Sequence, residues 1–224
     1  MALIPLDPRR PWTDIPVHVL DFEGSRRTGI VEFGVATLLG GEVVGLRTEA
    51  CAPLAAVPAA ETRCHGLADG DLDAYPPFRS HWSEFNELRG SGIFAAHPAA
   101  VEASLLAATW PHPAAVPAVS EVASAQAEWG PWVDTLALAR ARRPDLPDHG
   151  LEALIPALGL EGELMNLAAR LCPPGRRRPH CAGYDALAAA LVLRCLAPPG
   201  ARLADLLALG SASGDQGLQG ELLI

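Results

Sequence analysis

The sequence predicts an α/β fold: a mixed five-stranded sheet flanked by helices. Three strand-like segments come first, with Gly40-Gly41 as a hairpin turn between the second and third, and two short apolar segments follow among helical patterns. The five segments are residues 17–22, 30–38, 42–49, 92–96 and 129–135. Strands joined by tight turns are antiparallel, whereas strands separated by helices are usually parallel. We therefore expect three antiparallel strands followed by two parallel ones.

Apolar residues at helical spacing predict the elements that cover this sheet. They occupy residues 78–88, 101–110, 136–141, 151–158, 164–171 and 184–196. Between the third strand and the first helix lies a connection, residues 53–77, that is rich in proline and glycine. Long connections in compact domains are often functional, so this segment is a candidate for substrate contact.

Three regions are expected along the chain. Residues 1–16 contain four prolines and are predicted to be an irregular lead-in, residues 17–196 form the α/β domain, and residues 197–224 form a C-terminal extension. One short apolar segment, residues 203–209, lies in this extension. The stretch that follows it, GSASGDQGLQG, is rich in glycine and serine and predicts a flexible tail.

Composition restricts the class of function. The chain has 224 residues, half of them apolar, and a net charge of −9, which argues against a protein that holds long nucleic acid with its whole surface. The charge remains compatible with a small acidic metal centre. Five cysteines without a CxxC pair, an N-terminus without the apolar core of a signal peptide, and no apolar run of membrane-spanning length predict a cytoplasmic protein without a membrane partner.

Two carboxylates stand at the end of the first strand. Asp21 and Glu23 are two residues apart, so on a strand their side chains point to the same face. Paired carboxylates repel each other, and a divalent cation such as Mg²⁺ or Mn²⁺ is a common partner for them. The alternative is a strand that ends in solvent with two hydrated acids. The tripeptide by itself favours this alternative.

Two further acids and a histidine have comparable positions. Glu102 stands near the start of the helix after the fourth strand, and Asp185 near the start of the last helix of the domain, five residues after His180. A carboxylate at a helix start is also favoured by the helix dipole, which is the structural explanation for each acid alone. Together with Asp21 and Glu23, however, they form a set of four acids that lie in separate elements, each at an edge of apolar structure.

Six short motifs follow one another along the chain. They are D-F-E at residues 21–23, E-F-G at 32–34, H-G-L at 65–67, H-P-A-A-V-E at 97–102, D-T-L at 134–136 and H-x(4)-D at 180–185. Their order and spacing resemble the DEDDh exonuclease superfamily, which includes the proofreading ε subunit of bacterial DNA polymerase III and ribonuclease T. The resemblance extends over residues 17–193 and implies an RNase H-like fold.

The resemblance implies a metal-dependent 3′–5′ exonuclease that releases nucleoside monophosphates from a 3′ end of DNA or RNA, with single-stranded ends expected. Asp21, Glu23, Glu102 and Asp185 would hold two Mg²⁺ or Mn²⁺ ions, and His180 would act as general base. The implied substrate-binding residues are Gly24, Ser25, His65, Leu67 and His97. For His97 a structural role is the alternative, and for Leu67 ordinary loop packing. A DNA polymerase or another replication or repair protein is a candidate partner, and the sequence indicates no oligomeric state.

The chain departs from the family pattern in the second motif. Glu102 replaces the usual aspartate, with Pro98 in place of asparagine and Val101 in place of phenylalanine, and Gly24-Ser25 replaces the usual threonine after the first motif. The longer glutamate leads us to hypothesise slower turnover or a preference for Mn²⁺. It also keeps open two alternatives: a catalytically weakened fold that serves as a binding module, and a polymerase-associated subunit. The three arginines at residues 176–178 either contact phosphates or form a solvated charge run.

Overall fold

The computed structural model describes residues 6–120 and 125–213 and contains the expected mixed sheet. Its five strands lie in the order β3-β2-β1-β4-β7, and a separate two-stranded ribbon consists of β5 and β6. The strands are β1 Val17–Ser25, β2 Gly29–Leu39, β3 Glu42–Ala50, β4 Ile93–Ala96, β5 Val116–Pro117, β6 Ala125–Gln126 and β7 Trp132–Asp134. β1, β2 and β3 are antiparallel neighbours, and β4 and β7 add in parallel. The predicted fold class is confirmed.

Nine α-helices occur in these described ranges. They are α1 Ala59–His65, α2 Asp69–Leu72, α3 Trp82–Ser91, α4 Ala99–Thr109, α5 Thr135–Arg142, α6 Leu151–Ala157, α7 Glu161–Leu171, α8 Ala182–Leu196 and α9 Leu203–Ser213. Two 3₁₀ turns, Trp12–Asp14 and Phe78–His81, precede β1 and α3. Across the same ranges, none of the helices has both the length and the apolar character needed to cross a membrane.

The sheet separates two cores, and β1 contributes to both. Val17 and Val19 belong to a large aliphatic core that also contains the buried face of α8. Leu20 and Phe22 belong to an aromatic core on the opposite face, which packs against α3 and α4. Because side chains alternate along a strand, Asp21 and Glu23 continue the Val17–Val19 face, toward α8. The apolar pattern of β1 thus fixes the direction in which its two acids point.

Three expectations about local structure need correction. The connection at residues 53–77, for which no helix was predicted, contains the short helices α1 and α2. The fifth strand of the sheet is only β7, three residues long, since the chain enters α5 directly at Thr135. The predicted flexible tail starts at residue 210, but residues 210–213 belong to α9. Residues 214–224 are outside the described part of the chain.

The two ends of the described chain meet on the sheet. Leu203 and Leu206 of α9 are buried in the aliphatic core, and α9 contacts β7 and α5. Trp12 is also buried there, and its indole N–H donates to the carbonyl of Pro198 at 2.9 Å. The lead-in and the first part of the extension therefore pack against the sheet.

Candidate active site

The two acids of β1 lie where the strand leaves its parallel neighbour. Pairing of β1 with β4 ends at Val19, whereas pairing with β2 continues through Asp21 opposite Gly34 and Glu23 opposite Glu32. A register irregularity follows at Glu23 and Gly24. The sheet opens at this point, which leaves room beside the two carboxylates for side chains from other elements.

Helix α8 brings Asp185 to this opening. The helix starts directly over β2: a Cβ built on Gly34 would lie 2.1 Å from the carbonyl oxygen of Ala182. Glycine is therefore required at position 34 for α8 to approach so closely. Asp185 stands in the first turn of the helix and accepts a hydrogen bond of 2.8 Å from the backbone N–H of His180.

His180 itself has an unusual backbone. Its φ angle is 58°, the left-handed region that costs a non-glycine residue roughly 1–2 kcal/mol. The side chain is half-exposed, and its Nε2 lies 3.5 Å from Oε1 of Glu152 on α6. His180 is thus presented to solvent beside the acids by a backbone conformation that the surrounding contacts must maintain.

Glu102 completes the acidic group from the other side. It lies in the first turn of α4, is 5% exposed, and its Oε2 has no hydrogen-bond partner among the described residues. A backbone hydrogen bond from Phe22 joins Glu102 to β1. A buried carboxylate oxygen without a partner is costly, and a bound cation would compensate it.

The protonation of these acids reflects their burial and mutual repulsion. Burial raises the pKa of Glu23 to about 8, with Asp185 adding to the rise, and burial raises the pKa of Glu102 to about 8, with Glu23 adding to it. The pKa of Asp21 is well above its usual range because of burial and then the charge of Glu102. Burial also raises the pKa of Asp185, to about 6. Raised pKa values in a group of neighbouring acids are typical of functional sites.

The donor set fits a divalent cation. One ligand atom each from Glu23, His180 and Asp185 lie within 4.8 Å of one another. Asp21 and Glu102 interact electrostatically with this group, as the causes of their pKa shifts indicate. Carboxylate oxygens are the ligands that Mg²⁺ and Mn²⁺ prefer, and their raised pKa values indicate a site short of positive charge. The structure therefore brings Glu23, His180 and Asp185 together, and it places Asp21 and Glu102 within electrostatic reach of this group.

The sequence did not predict the contact between Glu32 and Arg176: Glu32 was not a candidate site residue, and Arg176 was expected to contact phosphates or solvent. Glu32 on β2 is 4% exposed, and both its carboxylate oxygens accept hydrogen bonds from Arg176; the backbone N–H of Ala182 also donates to Oε2, at 2.8 Å. Glu32 belongs to the E-F-G motif at residues 32–34, but no sequence motif indicates that Arg176 is its partner. Arg176 stands in the arginine run, where only the fold reveals that it points inward.

The loop at residues 65–67 lies against the same region. His65 is buried, and its carbonyl accepts hydrogen bonds from Arg176 and Arg178. Its Nδ1 accepts the backbone N–H of Leu67 at 3.1 Å, whereas its Nε2 has no partner among the described residues. Leu67 is partly buried. This loop is thus tied to the segment that carries His180.

The remaining substrate-binding candidates, Gly24, Ser25 and His97, each make contacts that the fold itself requires. Gly24 has a φ of 120° and a Cβ there would clash with the backbone of Gly29, while Ser25 closes the β1–β2 turn through hydrogen bonds with Thr28. His97 has both ring nitrogens engaged, Nδ1 with Thr135 and Nε2 with the carbonyl of His149, each at 2.8 Å. These contacts favour the structural role for His97.

Solved structures of nucleases share this fold. Exonuclease X in complex with 5′ overhanging duplex DNA is 19% identical, with a TM-score of 0.55 over 85% of this chain and 99% of the other. A 3′-exonuclease described with histone mRNA stem-loop is 13% identical, with a TM-score of 0.58 over 89% and 66%. The nuclease domain of 3′hExo, a DEDDh family member bound to rAMP, is 14% identical, with a TM-score of 0.55 over 84% and 92%.

These similarities concern the fold. No protein-family model matches the chain, and no curated protein matches it in sequence. The comparisons therefore show a fold shared with solved exonuclease structures, one of which is described as a DEDDh family member. A shared fold does not by itself determine activity.

Proposed function

We propose that the protein is a metal-dependent 3′–5′ exonuclease of the DEDDh type. The observation that carries the proposal is the group of partly buried carboxylates at the end of β1, with His180 beside it. Neighbours with the same fold are exonucleases, and one of them is described as a DEDDh family member. The six motifs in family order support the same conclusion.

Asp21, Glu23, Glu102 and Asp185 are the residues that would hold two divalent ions. When bound, such ions supply charge compensation and lower the pKa of water. The four carboxylates are short of positive charge in the protein alone, as their raised pKa values indicate. By holding the ions in place, the four carboxylates would fix the position at which a scissile phosphate can bind.

His180 serves as the general base in this proposal. It takes a proton from the attacking water while Asp185 holds the backbone N–H of the histidine. The exposed position of the imidazole allows the proton to pass to solvent afterwards. The attacking oxygen forms a bond to phosphorus, the 3′ oxygen of the preceding nucleotide leaves, and a nucleoside monophosphate is released.

The substrate is a 3′ end of DNA or RNA, preferably single-stranded. A terminal base must unstack to enter the site, which costs less in a single strand. His65, Leu67, Gly24 and Ser25 are the proposed contacts of the terminal nucleotide. The net charge of −9 limits binding to a short stretch near the end. The structural neighbours named above give no support to a polymerase partner.

The test is degradation of labelled single-stranded DNA, RNA and dinucleotides by the purified protein with Mg²⁺ or Mn²⁺. The wild type is expected to release mononucleotides, and chelation should stop the reaction. Asp21→Asn and His180→Gln should each reduce the rate on the order of 100-fold or more. Glu87→Gln, at an exposed carboxylate on α3, is the matched control. No degradation of any substrate by folded wild type would refute the enzyme and favour the binding module.

A further inference from the structure

We propose that Arg176 is a positioning residue, which clamps the segment carrying His180 to β2 and to the loop at residues 65–67 and so fixes the general base. The proposal rests on the proposed function, since it assigns a role in that same site. Arg176 contacts no reacting atom in this role. It acts through Glu32 and through the backbone of His65.

Every nitrogen of the Arg176 guanidinium is used. Nε donates to Oε1 of Glu32 at 2.8 Å, Nη2 donates to Oε2 of Glu32, and Nη1 donates to the carbonyl of His65. The side chains of Arg176 and Glu32 are 18% and 5% exposed. A bidentate pair with so little exposure has a fixed geometry, unlike a surface ion pair.

Glu32 anchors the histidine segment at both ends. Its Oε2 accepts from Arg176, four residues before His180, and from the backbone N–H of Ala182, two residues after it. Between these anchors, His180 has its left-handed φ of 58°. This conformation costs roughly 1–2 kcal/mol, so the segment would relax if one anchor were lost. The imidazole would then move away from Asp21, Glu23 and Asp185.

The third hydrogen bond of Arg176, to the carbonyl of His65, connects it to the loop proposed to contact the terminal nucleotide. The carbonyl of His65 also accepts from Arg178, whose Nη2 lies 3.2 Å away. Leu67, the proposed contact of the terminal base, follows two residues later. The general base and the nucleotide-binding loop are therefore connected through one guanidinium, with Arg178 as a second, more exposed link.

Arg177 provides the matched control. It is exposed, and its Nε donates only to the carbonyl of Cys172 within the same loop, at 3.2 Å. Arg176→Lys and Arg177→Lys both retain the positive charge. Only Arg176→Lys loses the bidentate geometry, because an ammonium group cannot span both oxygens of Glu32 and the His65 carbonyl together. Comparing the two variants separates the effect of the hydrogen-bond geometry of Arg176 from the effect of a positive charge in this loop.

The experiment measures kcat and KM on a single-stranded oligonucleotide with Mn²⁺ for the wild type, Arg176→Lys, Arg177→Lys and Glu32→Gln. Thermal unfolding of each variant reports folding. Two-dimensional NMR of the histidine rings, assigned with His180→Gln, reports the position of the base without requiring turnover. Glu32→Gln keeps the shape of the side chain and carries the test if Arg176→Lys fails to fold.

We expect kcat to fall about 10- to 100-fold in Arg176→Lys and in Glu32→Gln, as for other groups that orient catalytic side chains. KM should change less, because Arg178 still holds the loop at residues 65–67. The ring signals of His180 should move in both variants. Arg177→Lys should keep both kinetic constants within about twofold and the wild-type spectrum.

Wild-type kcat and unchanged His180 signals in folded Arg176→Lys would overturn the proposal. Equal losses in Arg176→Lys and Arg177→Lys would also overturn it, because charge alone would then explain the effect. If the wild type degrades no nucleic acid, the proposed function fails, while the NMR comparison still decides whether Arg176 holds His180 in place.

Discussion

At the scale of single residues, the acids of the site are placed at a cost to the fold. Glu102 is 5% exposed with an unpartnered oxygen among the described residues, and burial raises its pKa to about 8. A residue that only completed the core would be apolar here. A bound cation would compensate this buried carboxylate. Glu102 should therefore lower the stability of the metal-free protein and yet contribute to its activity.

Glu102→Gln should make the metal-free protein more stable at about pH 9, because the amide carries no charge to bury. The same change should reduce nuclease activity at least about tenfold, since a neutral side chain holds a cation poorly. Unfolding in the presence of a chelator and a degradation assay measure the two effects. Loss of both stability and activity would instead indicate an ordinary packing role.

Glu102→Asp tests metal preference: it should increase the activity with Mg²⁺ relative to Mn²⁺.

Stability without metal should depend on pH in an unusual direction. Glu23 and Glu102 have pKa values of about 8 in the folded protein, raised by burial, against an ordinary value of 4.5. Between these values the folded state binds more protons than the unfolded state, so stability falls as pH rises from about 5 to about 8. We expect Tm to drop by at least ~5 °C across this range in a chelator.

Saturating Mn²⁺ serves as the control, because other titrating groups contribute equally with and without the ion. The drop should be much smaller with Mn²⁺, and in Glu23→Gln it should be reduced even in the chelator. A Tm that rises with pH over this range, or one that is unaffected by Mn²⁺, would contradict the electrostatic description of the site.

At the scale of elements, the site depends on the close approach of α8 to β2. A Cβ at Gly34 would stand only 2.1 Å from the Ala182 carbonyl oxygen, whereas a Cβ at Gly45 on β3 would have nothing within 4 Å. This contact places the first turn of α8, and with it Asp185, over the strand that carries Glu32. A shift of the helix would displace Ala182, the end of the His180 segment that lies on α8.

Gly34→Ala should therefore destabilise the protein by about 2 kcal/mol or more, as overpacking does, and reduce activity as well. Gly45→Ala, a strand glycine in open space, should change the free energy of unfolding by no more than about 0.5 kcal/mol. Denaturant unfolding of the two variants measures the difference. Equal effects at the two positions would show that the α8–β2 contact tolerates a side chain.

The elements also show what could be predicted from the sequence. β1, β2 and β3 were predicted with nearly correct limits because their patterns are local and a hairpin signal joins two of them. α1 and α2 were missed because each is at most seven residues long and lies among prolines. The helical end of α9 was missed because glycine and serine favour turns, while burial of Leu203 and Leu206 stabilises the helix.

The same limit applies to the site. The sequence makes candidates of five residues because they stand in motifs of characteristic spacing: Asp21, Glu23, Glu102, His180 and Asp185. The contact between Arg176 and Glu32 could not, because 144 residues separate the two. No local pattern distinguishes an arginine that points inward from its neighbours in a basic run. Only the folded chain makes that distinction.

At the scale of the whole molecule, the fold positions one acidic centre at the opening of the sheet, among arginines that approach it from one loop. A net charge of −9 and a local centre of this kind suit an enzyme that acts on chain ends rather than a protein that coats nucleic acid. The direction of degradation therefore tests the proposed 3′–5′ exonuclease function most directly.

The most direct test uses one single-stranded oligonucleotide, labelled either at its 5′ or at its 3′ end, with the wild-type protein and Mn²⁺. We predict that the 3′ label appears at once as a labelled mononucleotide, while the 5′-labelled strand shortens one nucleotide at a time. Immediate release of the 5′ label as a mononucleotide, or internal cuts with both labels retained on long fragments, would contradict the proposed function.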